Sequence, residues 1–257
     1  MCGIVGIWGN VDVSLVKKMM SLVSHRGPDA EGMFVSQNGP GVLGHRRLSI
    51  MDPEGGNQPI YNEAKNMAVI ANGEIYNFPH LHPELSKQHQ FYTTSDSEAI
   101  VHLYEDHGVS MVEHLDGMYA FVVADGGNFY AARDPIGIKP LYLGEKDGAW
   151  LFASELKSFP SNCDSVQELP PGTFFHSAQG FSTFYTVPEV LSRKAPVEDY
   201  IEKIRETLEH AVVKRLMSDV PLCAFLSGGL DSMLAAELLR AQDLDVLALF
   251  FETPFFK

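Results

Sequence analysis

Cysteine is scarce in this chain. Three thiols occur in 257 residues, Cys2, Cys163 and Cys223, and their spacing offers neither a disulfide framework nor a metal-ligand pair. Such usage fits a reducing, cytoplasmic setting. Long apolar runs are absent as well. None reaches the ~18 residues that a membrane span needs, so no membrane role is expected. No basic stretch leads into an apolar core at the N-terminus, which is the pattern of a secretory leader. Basic residues are the minority, 19 Lys and Arg against 33 Asp and Glu, for a net charge of −14. A nucleic-acid partner calls for a basic face, so none is expected. What remains has a globular composition, 45% hydrophobic and 20% charged. The length holds one large domain, or one domain plus part of a second.

Hydrophobic periodicity divides the chain. Residues 2–8 read as a buried strand. Leu15, Val16, Met19, Met20 and Val23 recur at helical spacing, and these methionines are expected in the core. Residues 41–45, 67–71, 119–124, 129–132 and 150–153 read as strands. Ser95-Asp96-Ser97-Glu98 has the arrangement of a capping box; it opens a helix with Ile100, Val101 and Tyr104 on its apolar face and Gly108 as its stop. Strands with about two helices, up to about residue 185, suit an α+β sandwich of two sheets. Beyond a linker at 186–196 the pattern changes. An amphipathic helix runs over 197–216, a strand over 221–226, a helix over 233–241 and a strand over 246–251. This order opens a parallel α/β domain.

Cys2 has a chemical opportunity that an internal cysteine lacks. Once an aminopeptidase removes Met1, thiol and free α-amine share one residue. An α-amine has a reference pKa near about 8, so it can act as general base for its own thiol. The thiolate can then attack a carboxamide, form a thioester and release ammonia.

Five further motifs follow Met1-Cys2-Gly3-Ile4-Val5-Gly6 in order. They are His25-Arg26-Gly27-Pro28-Asp29, Arg47-Leu48-Ser49-Ile50, Asn72-Gly73-Glu74-Ile75-Tyr76-Asn77, Ser95-Asp96-Ser97-Glu98 and Arg133-Asp134-Pro135-Ile136-Gly137. The set resembles the class II glutamine amidotransferase domain, an N-terminal nucleophile hydrolase, over residues 2–185. The resemblance implies a four-layer αββα sandwich that hydrolyses L-glutamine without a cofactor. It makes Cys2 the nucleophile. The Asn72 side chain and the Gly73 N–H become the oxyanion donors, and Arg47 holds the glutamine α-carboxylate. Leu48, Ser49, Ile50 and Met51 complete the substrate pocket, and Glu74 and Asp96 face the α-ammonium. Arg26 orders the nucleophile. Arg133 and Asp134 are expected to form an internal salt bridge that holds a turn. No residue is assigned to a metal.

Ser227-Gly228-Gly229-Leu230-Asp231-Ser232 joins an apolar strand to a helix. Such a turn aims N–H groups and a helix N-terminus at one spot, which suits phosphate. It lacks the Lys of a Walker loop. Asp231 would need Mg2+ as mediator. The hexapeptide resembles the pyrophosphate loop of ATP pyrophosphatases. Joined to a class II glutaminase, it is similar to the glutamine-hydrolysing asparagine synthetase family. That likeness implies that Leu226 and residues 227–232 contact ATP, with Leu249 beside the adenine. Ammonia would pass to a β-aspartyl-AMP made from L-aspartate. Residues 197–257 carry only the first strands and helices of that synthetase domain, and Phe250 stands where the family usually has glycine. Three readings follow. One is a glutamine-dependent asparagine synthetase completed by a partner chain. Another is a stand-alone glutaminase. The last is a non-catalytic subunit that dimerises with a full-length synthetase.

Overall fold

The computed structural model describes residues 1–36, 39–189, 195–242 and 247–250. Parts of the expected linker and both ends of the expected 246–251 strand lie outside the described residues. The chain divides into two compact units, Met1–Pro188 and Glu189–Lys257.

The elements of the first unit are, in chain order, β1 (Gly3–Trp8), α1 (Val13–Leu22), β2 (Ala30–Val35), β3 (Gly41–Arg47), β4 (Ile60–Tyr61), β5 (Met67–Ile75), α2 (Phe78–Leu85), α3 (Glu98–His107), β6 (Gly117–Asp125), β7 (Asn128–Arg133), β8 (Tyr142–Lys146), β9 (Ala149–Ala153), β10 (Ser165–Glu168), β11 (Thr173–His176) and β12 (Gly180–Thr183). They build two six-stranded antiparallel sheets, ordered β10-β8-β9-β1-β3-β2 and β12-β11-β7-β6-β5-β4.

Strand periodicity explains the layers. Side chains alternate across a sheet, and β1 is apolar on both faces. Ile4 and Trp8 point into the core between the sheets, with Leu43, Ile70, Val122 and Phe129. Val5 and Ile7 point the other way, onto Val16, Met19 and Met20 of α1. The second sheet is covered by α3, where the Tyr104 and Tyr130 rings lie 5.3 Å apart. Helix, sheet, sheet and helix thus stack in the expected α+β order. Phe129 is central, with ring centroids 5.9 Å from Trp8, 5.6 Å from Phe152 and 5.5 Å from Phe175.

Local signals misled in three places. The capping box does not form: α3 begins at Glu98 behind Ser97, with no side-chain cap bond. Glu98 is fully buried and accepts instead from Tyr92 N, Thr93 N and Thr93 Oγ1, at 2.7, 2.7 and 2.6 Å. A buried carboxylate requires several donors, and a capping box supplies only one. Arg133 and Asp134 do hold a turn, but not by pairing. Arg133 bonds the carbonyls of Gly137, Lys139 and Leu169 and the Glu168 carboxylate. Asp134 accepts from the N–H groups of Ile136, Ile138 and Lys139. Helix α2 is not among the expected elements, although Phe78, Leu81 and Leu85 fall at i, i+3 and i+7 and Phe78 and Leu85 are buried. Pro79 sits in its first turn, where no N–H partner is lost.

The second unit contains α4 (Val197–Val213), β13 (Cys223–Phe225), α5 (Leu230–Arg240) and β14 (Leu247–Leu249). Strands β13 and β14 pair in parallel. Neither α4 nor α5 buries a residue. Ile201, Ile204 and Phe225 are exposed.

Candidate active site

One edge of the sandwich collects residues from both sheets. Cys2 precedes β1, Arg47 ends β3, and Asn72, Gly73 and Glu74 lie near the end of β5. Asp96 stands just ahead of α3, and Lys139 follows the turn after β7. Together they line a cavity of about 250 Å³. Of the residues expected from the sequence, Cys2, Arg47, Leu48, Ile50, Met51, Asn72, Gly73, Glu74 and Asp96 all line it. Ser49 does not; its N–H donates to Asp29 Oδ2 at 2.8 Å.

The thiol of Cys2 donates to the Leu48 carbonyl across 3.7 Å. Burial pushes its pKa up, against the pull of the Leu48 backbone, the N-terminal amine, Arg47 and Lys139. A thiol held this way needs a base. With Met1 in place, burial also lowers the pKa of the α-ammonium. Arg26 fixes the Cys2 backbone: its Nε donates to the Cys2 carbonyl at 2.8 Å, and its Nη1 donates to Glu155 Oε1 at 3.0 Å. Burial would raise the Glu155 pKa, but Arg26, Lys157 and His25 draw it down to about 2.

Asn72 is 1% exposed, and its Nδ2 has no hydrogen-bond partner among the described residues. A buried amide nitrogen left this way costs ~1–3 kcal/mol, and the residue that carries it lines the same cavity as the thiol. Glycine is required at position 73 by its neighbour. A Cβ there would stand 2.3 Å from the Met118 carbonyl on β6.

Opposite charges divide the rest of the wall. Arg47 and Lys139 supply the positive side, Glu74 and Asp96 the negative. Asp96 is 2% exposed. Burial raises its pKa to about 6, with Glu74 adding to the rise and the Ile75 N–H, 2.6 Å away, opposing it. Burial lowers the Lys139 pKa, while Glu74 supports the charged form. Arg47 is committed more heavily than its sequence motif suggests. Its Nη atoms bond Asn57 Oδ1 and the carbonyls of Met51, Asp52 and Pro53, at 2.5–3.2 Å. It therefore braces the 51–57 loop over the cavity. Lys139, Gln58, Ser95, Ser97 and Met118 also line the cavity and were not anticipated. Lys139 follows closely on the Arg133 motif, which was its only signal in the sequence.

In the second unit, Leu226 N donates to Leu249 O at 2.8 Å, which brings these two expected ATP contacts side by side. Gly228 has φ +81 with open space around it, and α5 has no side-chain cap. The Ser227 and Ser232 hydroxyls lie 3.1 Å apart. An exposed, uncapped helix N-terminus behind a left-handed glycine suits an anion. Gly229, Leu230 and Asp231 complete this loop, and all three are exposed.

Two facing antiparallel sheets between helices, with a thiol entering the first strand, define an N-terminal nucleophile hydrolase sandwich. Comparison with solved structures agrees on the fold. Glutamine phosphoribosylpyrophosphate amidotransferase from B. subtilis, complexed with ADP and GMP, superposes with a TM-score of 0.62 at 20% identity. The match covers 99% of this chain and 67% of that one. Residues 1–194 match the glutamine amidotransferase domain family, and the chain belongs to it. Residues 203–253 match the asparagine synthase family. Among curated relatives, asparagine synthetase [glutamine-hydrolyzing] 3 of Arabidopsis thaliana is 46% identical over 247 residues, which is 93% of this chain and 42% of the relative. Asparagine synthetase [glutamine-hydrolyzing] 2 of Oryza sativa subsp. japonica is 44% identical over 247 residues, 93% of this chain and 41% of the relative. The chain thus spans about two-fifths of the length of the curated relatives it matches.

Proposed function

We propose that this chain hydrolyses L-glutamine at Cys2, and that the ammonia serves ATP-dependent amidation of L-aspartate. The observation that carries the first half is the orphaned Asn72 amide in the same cavity as the thiol. With Met1 removed, the Cys2 α-amine takes the Sγ proton as sulfur attacks the glutamine carboxamide carbon. Negative charge moves onto the carbonyl oxygen, where Asn72 Nδ2 and the Gly73 N–H receive it. The C–N bond then breaks, and the amine's proton leaves with the nitrogen as ammonia. Water hydrolyses the thioester and releases glutamate. Glu74 and Asp96 bind the substrate ammonium. Arg47, with Leu48, Ile50 and Met51, borders the carboxylate, and Lys139 adds positive charge on that side.

The second half rests on loop 227–232 and on the names of the curated relatives. Ser227, Ser232 and the loop N–H groups would hold the ATP phosphates, with Asp231 reaching them through Mg2+ and Leu226 and Leu249 beside the base. ATP would activate the aspartate carboxylate for attack by ammonia. The unburied faces of α4 and α5 favour a synthetase unit that packs against further chain, from this polypeptide, a second copy or a partner. The same observation supports the alternative, glutamine hydrolysis uncoupled from synthesis. No helix among the described residues is long and apolar enough to cross a membrane. Three free thiols suit a cytoplasmic enzyme.

The test is glutamate and ammonia release by Met1-processed protein, with and without ATP, aspartate and Mg2+. Release that disappears in Cys2→Ala supports the glutaminase, and absence of release from the processed protein overturns it. AMP and asparagine formed in step with glutamate support coupled synthesis. Glutamate without AMP selects the alternative.

A further inference from the structure

Away from the thiol pocket, two imidazoles and two carboxylates converge. Glu63 comes from the connection between β4 and β5, and His89 from the chain after α2. His102 and Glu105 lie on α3, where their i, i+3 spacing gives them one helix face. His89 Nδ1 lies 3.4 Å from Glu63 Oε1 and 3.6 Å from Glu105 Oε2. His102 Nδ1 lies 3.2 Å from Glu105 Oε2 and 3.8 Å from Glu63 Oε2. One ligand atom from each of the four residues falls within 4.8 Å of all the others.

These four separations, 3.2–3.8 Å, bracket the ligand–ligand edge of a tetrahedral metal site, with Glu63 presenting Oε1 to one imidazole and Oε2 to the other. Zinc binds imidazole nitrogen and carboxylate oxygen at about 2.1 Å, which places neighbouring tetrahedral ligands about 3.4 Å apart. The surroundings fit as well. A metal-bound histidine turns its remote nitrogen toward a carboxylate or carbonyl. His89 Nε2 lies 3.0 Å from Asp106 Oδ1, and His102 Nε2, buried without a hydrogen-bond partner among the described residues, has Glu98 Oε1 at 3.6 Å. The two acidic groups are themselves held: Gln90 N donates to Glu63 Oε1, and Asn62 Nδ2 donates to Glu105 Oε1, each at 2.7 Å. The imidazoles stack with centroids 4.5 Å apart and planes at 27°.

We propose that Glu63, His89, His102 and Glu105 form a zinc site. Two nitrogens and two oxygens at tetrahedral spacing suit Zn2+ over Ca2+ or Mg2+, which prefer larger sets of oxygen ligands. Four protein ligands leave no open position, so the ion's role is structural. It would tie α3 to the connection before β5 and to the chain after α2. Asp96, in the cavity wall, stands two residues ahead of α3.

The experiment uses the full chain carrying Cys2→Ala, which removes the competing thiol of the pocket. The protein is stripped with a chelator and titrated with Zn2+ and, separately, Co2+. The expected result is one equivalent of Zn2+ bound, a rise in Tm through binding to the folded state, and the visible d–d bands of tetrahedral Co2+. His89→Gln and Glu63→Gln alter the two ligands outside α3, and each should weaken Zn2+ binding by at least about tenfold. Zinc binding at unchanged affinity in both variants overturns the proposal. So does the absence of a Tm rise and of Co2+ bands in the Cys2→Ala protein at about tenfold metal excess, which would leave the cluster as an ion-pair network.

Discussion

Replacing Asn72 by alanine should separate activity from stability in opposite directions. In the resting protein the Asn72 Nδ2 is buried without a partner. Its removal therefore breaks no existing bond and relieves a desolvation cost of ~1–3 kcal/mol, offset in part by the lost packing of a side chain beside an open cavity. Tm should stay level or rise, since 1 kcal/mol corresponds to about 2–4 °C at this size. In the transition state the same group becomes an oxyanion donor, and loss of one such donor costs ~2.7–4 kcal/mol, or about 10²–10³ in kcat. KM for glutamine should change little, because the donor is aimed at charge that develops only during reaction. Asn72→Asp keeps the shape but turns an acceptor toward the oxyanion, and should be at least as damaging. The assay is steady-state ammonia release by Met1-processed protein, alongside thermal unfolding. A kcat within about fivefold of wild type, less than about 1 kcal/mol, would refute the oxyanion role. A large fall in Tm accompanying the lost activity would show that the residue is structural.

Retention of Met1 should abolish glutamine hydrolysis as completely as Cys2→Ala, because no free amine then adjoins the thiol; mass spectrometry and turnover on the same sample check this, and an active Met1-bearing fraction refutes the amine base. Asp96 must be ionised to bind the substrate ammonium, and its pKa is raised to about 6. For wild type, kcat/KM should fall about tenfold per unit as pH drops below 6; Asp96→Asn should be poor at every pH and lack that limb. The Glu155 pKa is depressed to about 2, so its ion pairs contribute stability above the unfolded carboxylate pKa of about 4.3, and this is lost as pH falls toward 2. The stability difference between wild type and Glu155→Gln should therefore be constant near neutrality and shrink on acidification, as read from denaturant titrations. Phe129→Ala should destabilise the sandwich by ~3–5 kcal/mol, measured in the same way.

Much of the candidate site was legible because its parts are short motifs tied to chemistry. A penultimate cysteine, an Asn-Gly pair and a Ser-Asp-Ser turn each announce a function within a few residues. Burial pattern exposed β1 for a similar reason: a strand covered on both faces is apolar throughout, and Ile4, Val5, Ile7 and Trp8 are all buried. Strand β10 was silent because all four of its residues are exposed. Lys139 was missed because a lone lysine after a turn looks like any surface charge until folding brings it beside Cys2 and Glu74.

The sequence by itself determined the thiol behind Met1, the apolar pattern that stacks two sheets between helices, and the glycine loop of the second unit. Those properties depend on neighbours in the chain. Tertiary structure alone decided where the polar groups spend their bonds. It drew Glu98 away from a helix cap and into a buried network, and turned Arg47 into a brace for the 51–57 loop. It left the Asn72 amide unsatisfied in a residue that lines the thiol's cavity, and it gathered Glu63, His89, His102 and Glu105 from three separate segments. Local sequence states which donors and acceptors exist. Only packing, by excluding water, decides which of them must find one another.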